Sequence, residues 1–359
     1  MNTPIKLAIS FQHHQQLRAH LFPGDGSEAA AILICTRSSA HRFIVNHIIP
    51  VPYTDCSIRL KDKISWPGAA IEEAIDQALP ESLSIILMHS HPSGLFDFSA
   101  IDNDSDRKVM PSIFEASHSV ITPHGSAIMT PNGAILARLY DHKLVATKFS
   151  SIICSDDDIH IYQIDKTGCL NKTPMAFSTA MGKDLKKLTA CVVGVSGTGS
   201  IVVEQLARLG IGRLILIDFD RIKFKNLNRI LNVTIKDALN EHFKVDRISS
   251  VIKTYRDDIE ILSLTSNITE RDAIELTGQA DVLFCSVDSF EGRHMCDRIA
   301  SAFLQPLFDV AVTIPTRQKE GECVAVGDVC GRVDYIKPGG STLSDRQVYS
   351  PESLRREYM

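Results

Sequence analysis

The chain has 359 residues, 44% of them hydrophobic and 23% charged, with a formal net charge of −5. Its length exceeds what one hydrophobic core commonly serves, so two domains are expected, and the mild acidity excludes a global attraction to nucleic acid or to an anionic membrane, leaving only a local basic patch open. Nine cysteines without a C-x-x-C pair argue against a thiolate zinc ribbon, the start "MNTPIKLAISFQHHQQ" lacks a secretory apolar core, and no apolar run nears the ~20 residues that span a bilayer, so the reading is a soluble cytoplasmic protein with reduced thiols.

A helical opening (Leu17, Leu21) leads into apolar runs over 29–35, 43–51 and 83–88, then a further pair around 118–122 and 134–138. This mixed pattern gives a first domain over 1–148. Residues 149–174, with an acidic triplet and turn residues, read as a linker, although the alternation in "IHIYQI" also fits an edge strand. From about 185 the texture becomes strand, glycine turn and helix, which defines a second, α/β domain over 175–359.

"SLSIILMHSHP" reads as a strand, and side chains alternate across a strand, so His89 and His91 fall on one face and Ser90 on the other. Both imidazoles can then reach one ion. A catalytic zinc takes three protein ligands and keeps a fourth position open, so a third ligand is required. Asp102 lies eleven residues past His91. Ser99-x-x-Asp102 also has the form of a helix capping box, and a strand ending in histidines beside a capped helix accounts for the same residues.

The full string His89-x-His91-Pro92, six residues, Ser99-x-x-Asp102 carries every fixed position of the motif of the JAB/MPN (JAMM) zinc metalloproteases, and the first domain resembles that family. The resemblance implies a mixed α+β fold that cuts after the C-terminal glycine of ubiquitin or ubiquitin-like proteins. It implies His89, His91 and Asp102 as zinc ligands and Ser99 as a donor to the oxyanion. The segment "GDGSEAAAILICT" resembles the family element that carries the general base, which makes Glu28 the group that moves the proton from water to the leaving amine.

"LTACVVGVSGTGSIVVEQLARLGIGRLILIDFD" (188–220) reads strand, glycine turn, helix and strand, with Gly194, Gly197 and Gly199 in the turn and the helix stopping at Gly210. A turn that opens a helix points backbone N–H groups at an anion. Asp218 follows Gly194 by 24 residues, where a Rossmann-type unit places its ribose-binding acid, and "ADVLFCSVDSFEGR" reads as another buried strand, ending in Asp288. Ser196 stands at the second glycine of the strict fingerprint, so these residues alone divide evenly between a nucleotide site and a structural βαβ unit.

The run Asp218-x-Asp220 followed by Asn226-Leu227-Asn228-Arg229 resembles the adenylation domain of ubiquitin-activating enzymes and of the bacterial enzymes that activate sulfur carriers for molybdopterin and thiamine. The resemblance implies a Rossmann-like, doubly wound domain in which the partner's C-terminal carboxylate attacks ATP to give an acyl-adenylate and pyrophosphate. By motif position Asp218 holds the ribose, Asn226 and Arg229 the phosphates, Asp288 the magnesium, and Lys244, with Lys236 as fallback, supplies the family lysine. Asp220 joins this set.

Cys323 and Cys330 fall in predicted sheet and read as core thiols, so neither makes a strong transfer cysteine. In "YIKPGGSTLSDRQVYSPESLRREYM", serines stand where relatives carry C-x-x-C zinc ligands, and a domain of this type continues further, so a shortened C-terminus is expected. The two resemblances together imply a bifunctional enzyme of a bacterial ubiquitin-like modification system. Its cofactors are zinc, ATP and magnesium; its partners are a ubiquitin-like or sulfur-carrier protein ending in glycine, a conjugating enzyme and a second copy paired through the adenylation domain. Two alternatives stand beside this: the second domain only docks the substrate for the peptidase, or the protein activates a sulfur carrier for cofactor synthesis.

Overall fold

The computed structural model describes residues 4–39, 41–117, 121–156, 159–162, 179–317 and 325–357, in two compact units that divide between Gly168 and Cys169. The first unit runs β1 (Lys6–Ser10), α1 (Phe11–Leu21), β2 (Ala30–Ser39), β3 (Arg42–Pro50), a small hairpin of β4 (Ile58–Arg59) and β5 (Ile64–Ser65), and α2 (Ala69–Ala78). It continues through β6 (Ser84–Ser90), α3 (Ala100–Ser117), β7 (His124–Met129), β8 (Ile135–Tyr140), β9 (Ala146–Lys148), β10 (Ser151–Ser155) and β11 (Ile159–Tyr162).

Nine strands form one sheet in the order β11-β10-β1-β3-β2-β6-β7-β8-β9. Strand alternation sorts its apolar residues onto two faces. Ile86 and Met88 pack with Leu17 and Leu21 of α1, whereas Ile85 and Leu87 pack with Ala74 of α2 and with Met110 and Ile113 of α3. His89 continues the second series, so it emerges on the side covered by α3.

Two expectations change here. The strand expected at 118–122 lies at His124–Met129, while 118–120 are outside the described residues. The linker expected from 149 begins with two strands of the sheet: Ser151–Ser155 is buried throughout and pairs in parallel with β1, and Ile159–Tyr162 is the edge strand beyond it. Serines at both ends of the buried "SIICS" gave it the look of a loop. The remainder of the linker, 163–174, lies outside the described residues. The strand β1 itself, "KLAIS", is too short to show a period.

The second unit comprises α4 (Thr179–Leu185), β12 (Thr189–Val193), α5 (Gly197–Leu209), β13 (Arg213–Ile217), α6 (Ile235–Leu239), α7 (Lys244–Ile252), β14 (Glu260–Leu264), α8 (Arg271–Thr277) and β15 (Val282–Cys285). Then come α9 (Phe290–Ala302), β16 (Leu307–Thr313), the short pair β17 (Thr316–Arg317) and β18 (Ala325–Val326), β19 (Cys330–Ile336) and α10 (Pro351–Glu357). Its sheet has the order β14-β13-β12-β15-β16-β19, parallel except for β19.

Helices cover both faces, as a doubly wound sheet requires. Ala190, Val192, Leu214 and Leu216 meet α5 and α7, and Cys191, Val193, Ile217 and Leu283 meet α8 and α9. Helix α5 ends at Gly210, whose φ of +101° is the left-handed C-cap that suits glycine. β12 is flanked by β13 and β15, so the chain order reverses there and a crevice opens at the carboxyl ends of these strands.

Strand β15 stops at Cys285, short of Asp288, because the chain turns after the last ladder bond, from the Ser286 N–H to the Val193 carbonyl at 2.9 Å. Cys330 does lie in sheet, opposite Thr313, but its thiol is exposed and not in a core; Cys323 is outside the described residues. No helix among the described residues is long and apolar enough to cross a membrane.

Candidate functional site

In the first unit β2 and β6 run antiparallel with Ala30 opposite His89, and the same register carried outward sets Glu28 across from His91. The Glu28 N–H donates to the Leu60 carbonyl at 2.8 Å, so the small hairpin fixes the backbone of this residue. Carboxylate and imidazole atoms of Glu28, His89 and His91 all lie within 4.8 Å of one another. Ser90, on the opposite face, uses its hydroxyl to accept the Ala29 N–H at 2.9 Å.

Helix α3 brings the fourth group. Asp102 Oδ1 is 3.1 Å from His89 Nε2, Asp102 Oδ2 is 3.4 Å from His91 Nε2, and the two Nε2 atoms are 3.1 Å apart. The same carboxylate accepts the Ser99 N–H at 2.6 Å, and the Asp102 N–H returns a bond to Ser99 Oγ at 3.2 Å. The capping box and the cluster are therefore one arrangement: the cap holds the carboxylate where the imidazoles point. Ser99 Oγ acts only as acceptor in that pair, which leaves its hydroxyl proton available to donate.

His91 Nδ1 sits 2.8 Å from the Leu95 carbonyl, an acceptor only, so Nδ1 carries the proton and the Nε2 lone pair turns inward. Two imidazole nitrogens and a carboxylate thus converge within 3.4 Å of one another. That donor set, two imidazoles and a carboxylate, fits zinc. Burial pushes the Glu28 carboxyl up, only partly offset by the two imidazoles. Burial would lower His91, but the Asp102 hydrogen bond and the Leu95 carbonyl raise it. Asp102 is itself desolvated, yet its two imidazole partners hold it far below the usual carboxylate range.

In the second unit the glycine turn follows β12. Gly194 has φ +82°, and a Cβ there would lie 2.8 Å from the Ser286 carbonyl oxygen; one on Gly199 would lie 1.8 Å from the Gly194 oxygen. Turn and helix are thus packed backbone to backbone. Ser196, at the helix N-cap, has φ −82°, outside the left-handed region that calls for glycine, and makes no side-chain capping bond, so it leaves the first-turn N–H groups uncapped. A Cβ on Gly197 would meet the Arg229 side-chain stem at 3.2 Å, which sets Arg229 over the turn.

Buried Asp218 ties the next strand to this turn: Oδ2 accepts the Val195 N–H and Oδ1 the Asp220 N–H, both at 2.9 Å. Lys244, only 3% exposed, places Nζ 2.6 Å from Asp220 Oδ2 and 3.6 Å from Asp218 Oδ1. Burial raises the Asp218 carboxyl against the pull of Lys244. Asn226 is buried with its Oδ1 accepting the Lys223 N–H at 2.9 Å, a bond that shapes the loop. The exposed Arg229 guanidinium donates to the Lys225 carbonyl at 2.9 Å. Asp288 is exposed beyond β15, and Lys236 is exposed on α6, with neither Asp218 nor Asp220 as a partner.

The structure thus groups Gly194, Gly197, Gly199, Asp218, Asp220, Arg229 and Lys244, with Asp288 in the turn beyond the end of the adjoining strand. A cavity of about 350 Å³ in this unit is lined by Arg221, Asp237, His242, Phe243, Arg247 and neighbours, and by none of these residues. Sequence reasoning missed the Leu60 and Leu95 carbonyls that orient Glu28 and His91, since a main-chain acceptor leaves no trace in residue type. It also missed Arg138, whose charge inside the apolar run "ILARLY" was a visible signal.

Residues 11–143 match the family of prokaryotic homologs of the JAB domain, and residues 171–341 match the ThiF family. Among curated proteins, the ubiquitin-like modifier-activating enzyme 5 of Bombyx mori is 30% identical over 170 residues, 44% of this chain and 39% of that protein. The enzyme of the same name from Caenorhabditis elegans is 30% identical over 166 residues, 43% and 36% of the two chains. The chain thus spans less than two fifths of the length of these relatives. The crystal structure of E. coli MccB with ATP is 25% identical, with a TM-score of 0.34 over 36% of this chain and 40% of that one. The chain therefore joins a domain of the prokaryotic JAB-homolog family to an adenylation domain of the ThiF family.

Proposed function

We propose that the chain is a bifunctional enzyme acting on a ubiquitin-like protein: a zinc-dependent peptidase or isopeptidase that trims or releases its C-terminus, and an ATP-dependent adenylyltransferase for its terminal glycine. The observation that carries the first activity is the convergence of His89, His91 and Asp102, with Glu28 across from them. His89, His91 and Asp102 would hold zinc, which supplies Lewis acidity toward a water and a carbonyl. Glu28, desolvated and raised, takes the proton from the attacking water and passes it to the leaving amine. The Ser99 hydroxyl donates to the oxygen on which charge develops.

For the second activity, the turn at Gly194–Gly199 receives phosphates on backbone N–H groups and Asp218 accepts from the ribose. Arg229 and Lys244 offset the negative charge that otherwise keeps a carboxylate from the α-phosphate, and Asp288 would hold magnesium. Relatives named as ubiquitin-like modifier-activating enzymes favour a ubiquitin-like or sulfur-carrier partner. Pyrophosphate exchange with such a partner tests the reading: exchange that disappears in Asp288→Ala supports it, and partner binding without any exchange sinks it.

One observation favours the docking alternative. On the last strands of the second sheet Val312 and Val333 are 51% and 68% exposed, on the face that carries the packed rings of Phe308 and Tyr335. Such a strip suits a protein partner whether or not the nucleotide site turns over. Mass spectrometry of the partner's C-terminus separates a thiocarboxylate from a protein conjugate.

A further inference from the structure

We propose that Asp106, clamped by Arg138, is the positioning residue that holds Asp102 in reach of the two histidines; this rests on the zinc reading above. Asp106 lies one turn beyond Asp102 on α3, so the two carboxylates share a helix face. A single oxygen, Asp106 Oδ2, accepts from Arg138 Nη2 at 2.6 Å, Arg138 Nε at 3.1 Å, the Tyr140 hydroxyl at 2.9 Å and the Ser126 hydroxyl. Every member is buried.

Arg138 also brackets the metal segment in sequence. Its Nη1 donates to the Asn103 side chain, immediately after Asp102, and its guanidinium carbon stands 3.7 Å from the centre of the Phe98 ring, immediately before Ser99. One side chain on β8 therefore grips both ends of Ser99–Asp102. Ser126, on β7, belongs to the strand that pairs directly with the histidine strand, His89 opposite Ile128. Helix and histidines are thus indexed to the same sheet.

A buried ion pair is poor as a source of stability, because apolar residues of the same volume do as well or better. Its strength is direction. Four donors on one oxygen fix the rotation and height of α3, and a ligand must sit within about 0.5 Å of its productive position. This network is distinct from the capping box, which fixes the Asp102 side chain relative to its own helix but not the helix relative to the strand.

The test uses the full chain loaded with Co²⁺, whose visible bands report ligand geometry, with affinity measured by chelator competition. Asp106→Asn should bind the ion about 10- to 100-fold more weakly, and its bands at saturation should differ from those of the unmodified protein. Leu17→Ala, in the core on the opposite face of the sheet, lowers stability but should leave both affinity and bands unchanged. Unaltered affinity and bands in Asp106→Asn, or the same change in Leu17→Ala, overturn the proposal. Should Asp106→Asn not fold, Ser126→Ala combined with Tyr140→Phe keeps the ion pair and should still weaken binding several-fold; an unchanged affinity there also overturns it. No Co²⁺ binding by the unmodified chain would remove the zinc reading and this inference together, whereas normal binding with a silent Asp106 removes the inference alone.

Discussion

On the function proposed above, the two units face the same task, placing charged groups around a cationic or an anionic guest, and meet it by opposite means. In the first, the groups stand on a strand, a strand entry and a capped helix, and all are mostly shielded from water. In the second, they stand on loops and at helix starts beyond strand ends, where Arg229 and Asp288 are exposed and Lys244, the first residue of α7, is paired with Asp218 and Asp220. A small ion needs ligands fixed to fractions of an ångström, which regular structure supplies; a nucleotide is long and is met by segments that can adjust.

The sharpest way to break this contrast is Asp102→Ala. It should abolish both metal binding and cleavage while leaving pyrophosphate exchange alone, checked by elemental analysis and the two assays; metal retained at full occupancy would dissolve the first site as described. Glu28→Gln comes next, with metal kept and cleavage lowered by about 10²- to 10⁴-fold. Normal cleavage would take the proton-transfer role away from Glu28.

The acid response should also separate the units. Burial pushes His124 down to about 4, and its Nδ1 accepts the Ile85 N–H at 3.2 Å. The unfolded chain takes up this proton near pH 6.5, so stability is full above that value and is lost as pH falls toward 4, by on the order of 3 kcal/mol. Two further histidines lowered chiefly by burial, His13 and His14, lie in the same unit. Thermal melts from pH 7 to 4.5 should show the first unit weakening, and His124→Asn should flatten the slope; an equal slope in that variant counts against the assignment. The smallest effect is expected from Arg229→Ala, about tenfold in pyrophosphate exchange, or ~1.4 kcal/mol, because an exposed cation is screened. Unchanged exchange would remove it from the phosphate site.

What the sequence made legible is what depends on period and spacing. Alternation alone set His89 and His91 on one face, and the glycine turn with its following helix was readable because Gly194 and Gly199 have no tolerable replacement. Where the reading slipped, tertiary pairing overrode local pattern: "SIICS" looks like a polar approach to a loop, yet β1 buries it, and the strand after α3 starts later than its apolar residues suggested. The capping box and the metal motif competed as explanations of Ser99 and Asp102. The geometry makes them compatible, which no residue spacing could reveal.

Lys244 has a consequence for what enters the second crevice. One ammonium against two carboxylates leaves an excess of negative charge around it. On the function proposed above, a triphosphate that enters with its divalent counter-ion would offset that imbalance, which a bare anion would not.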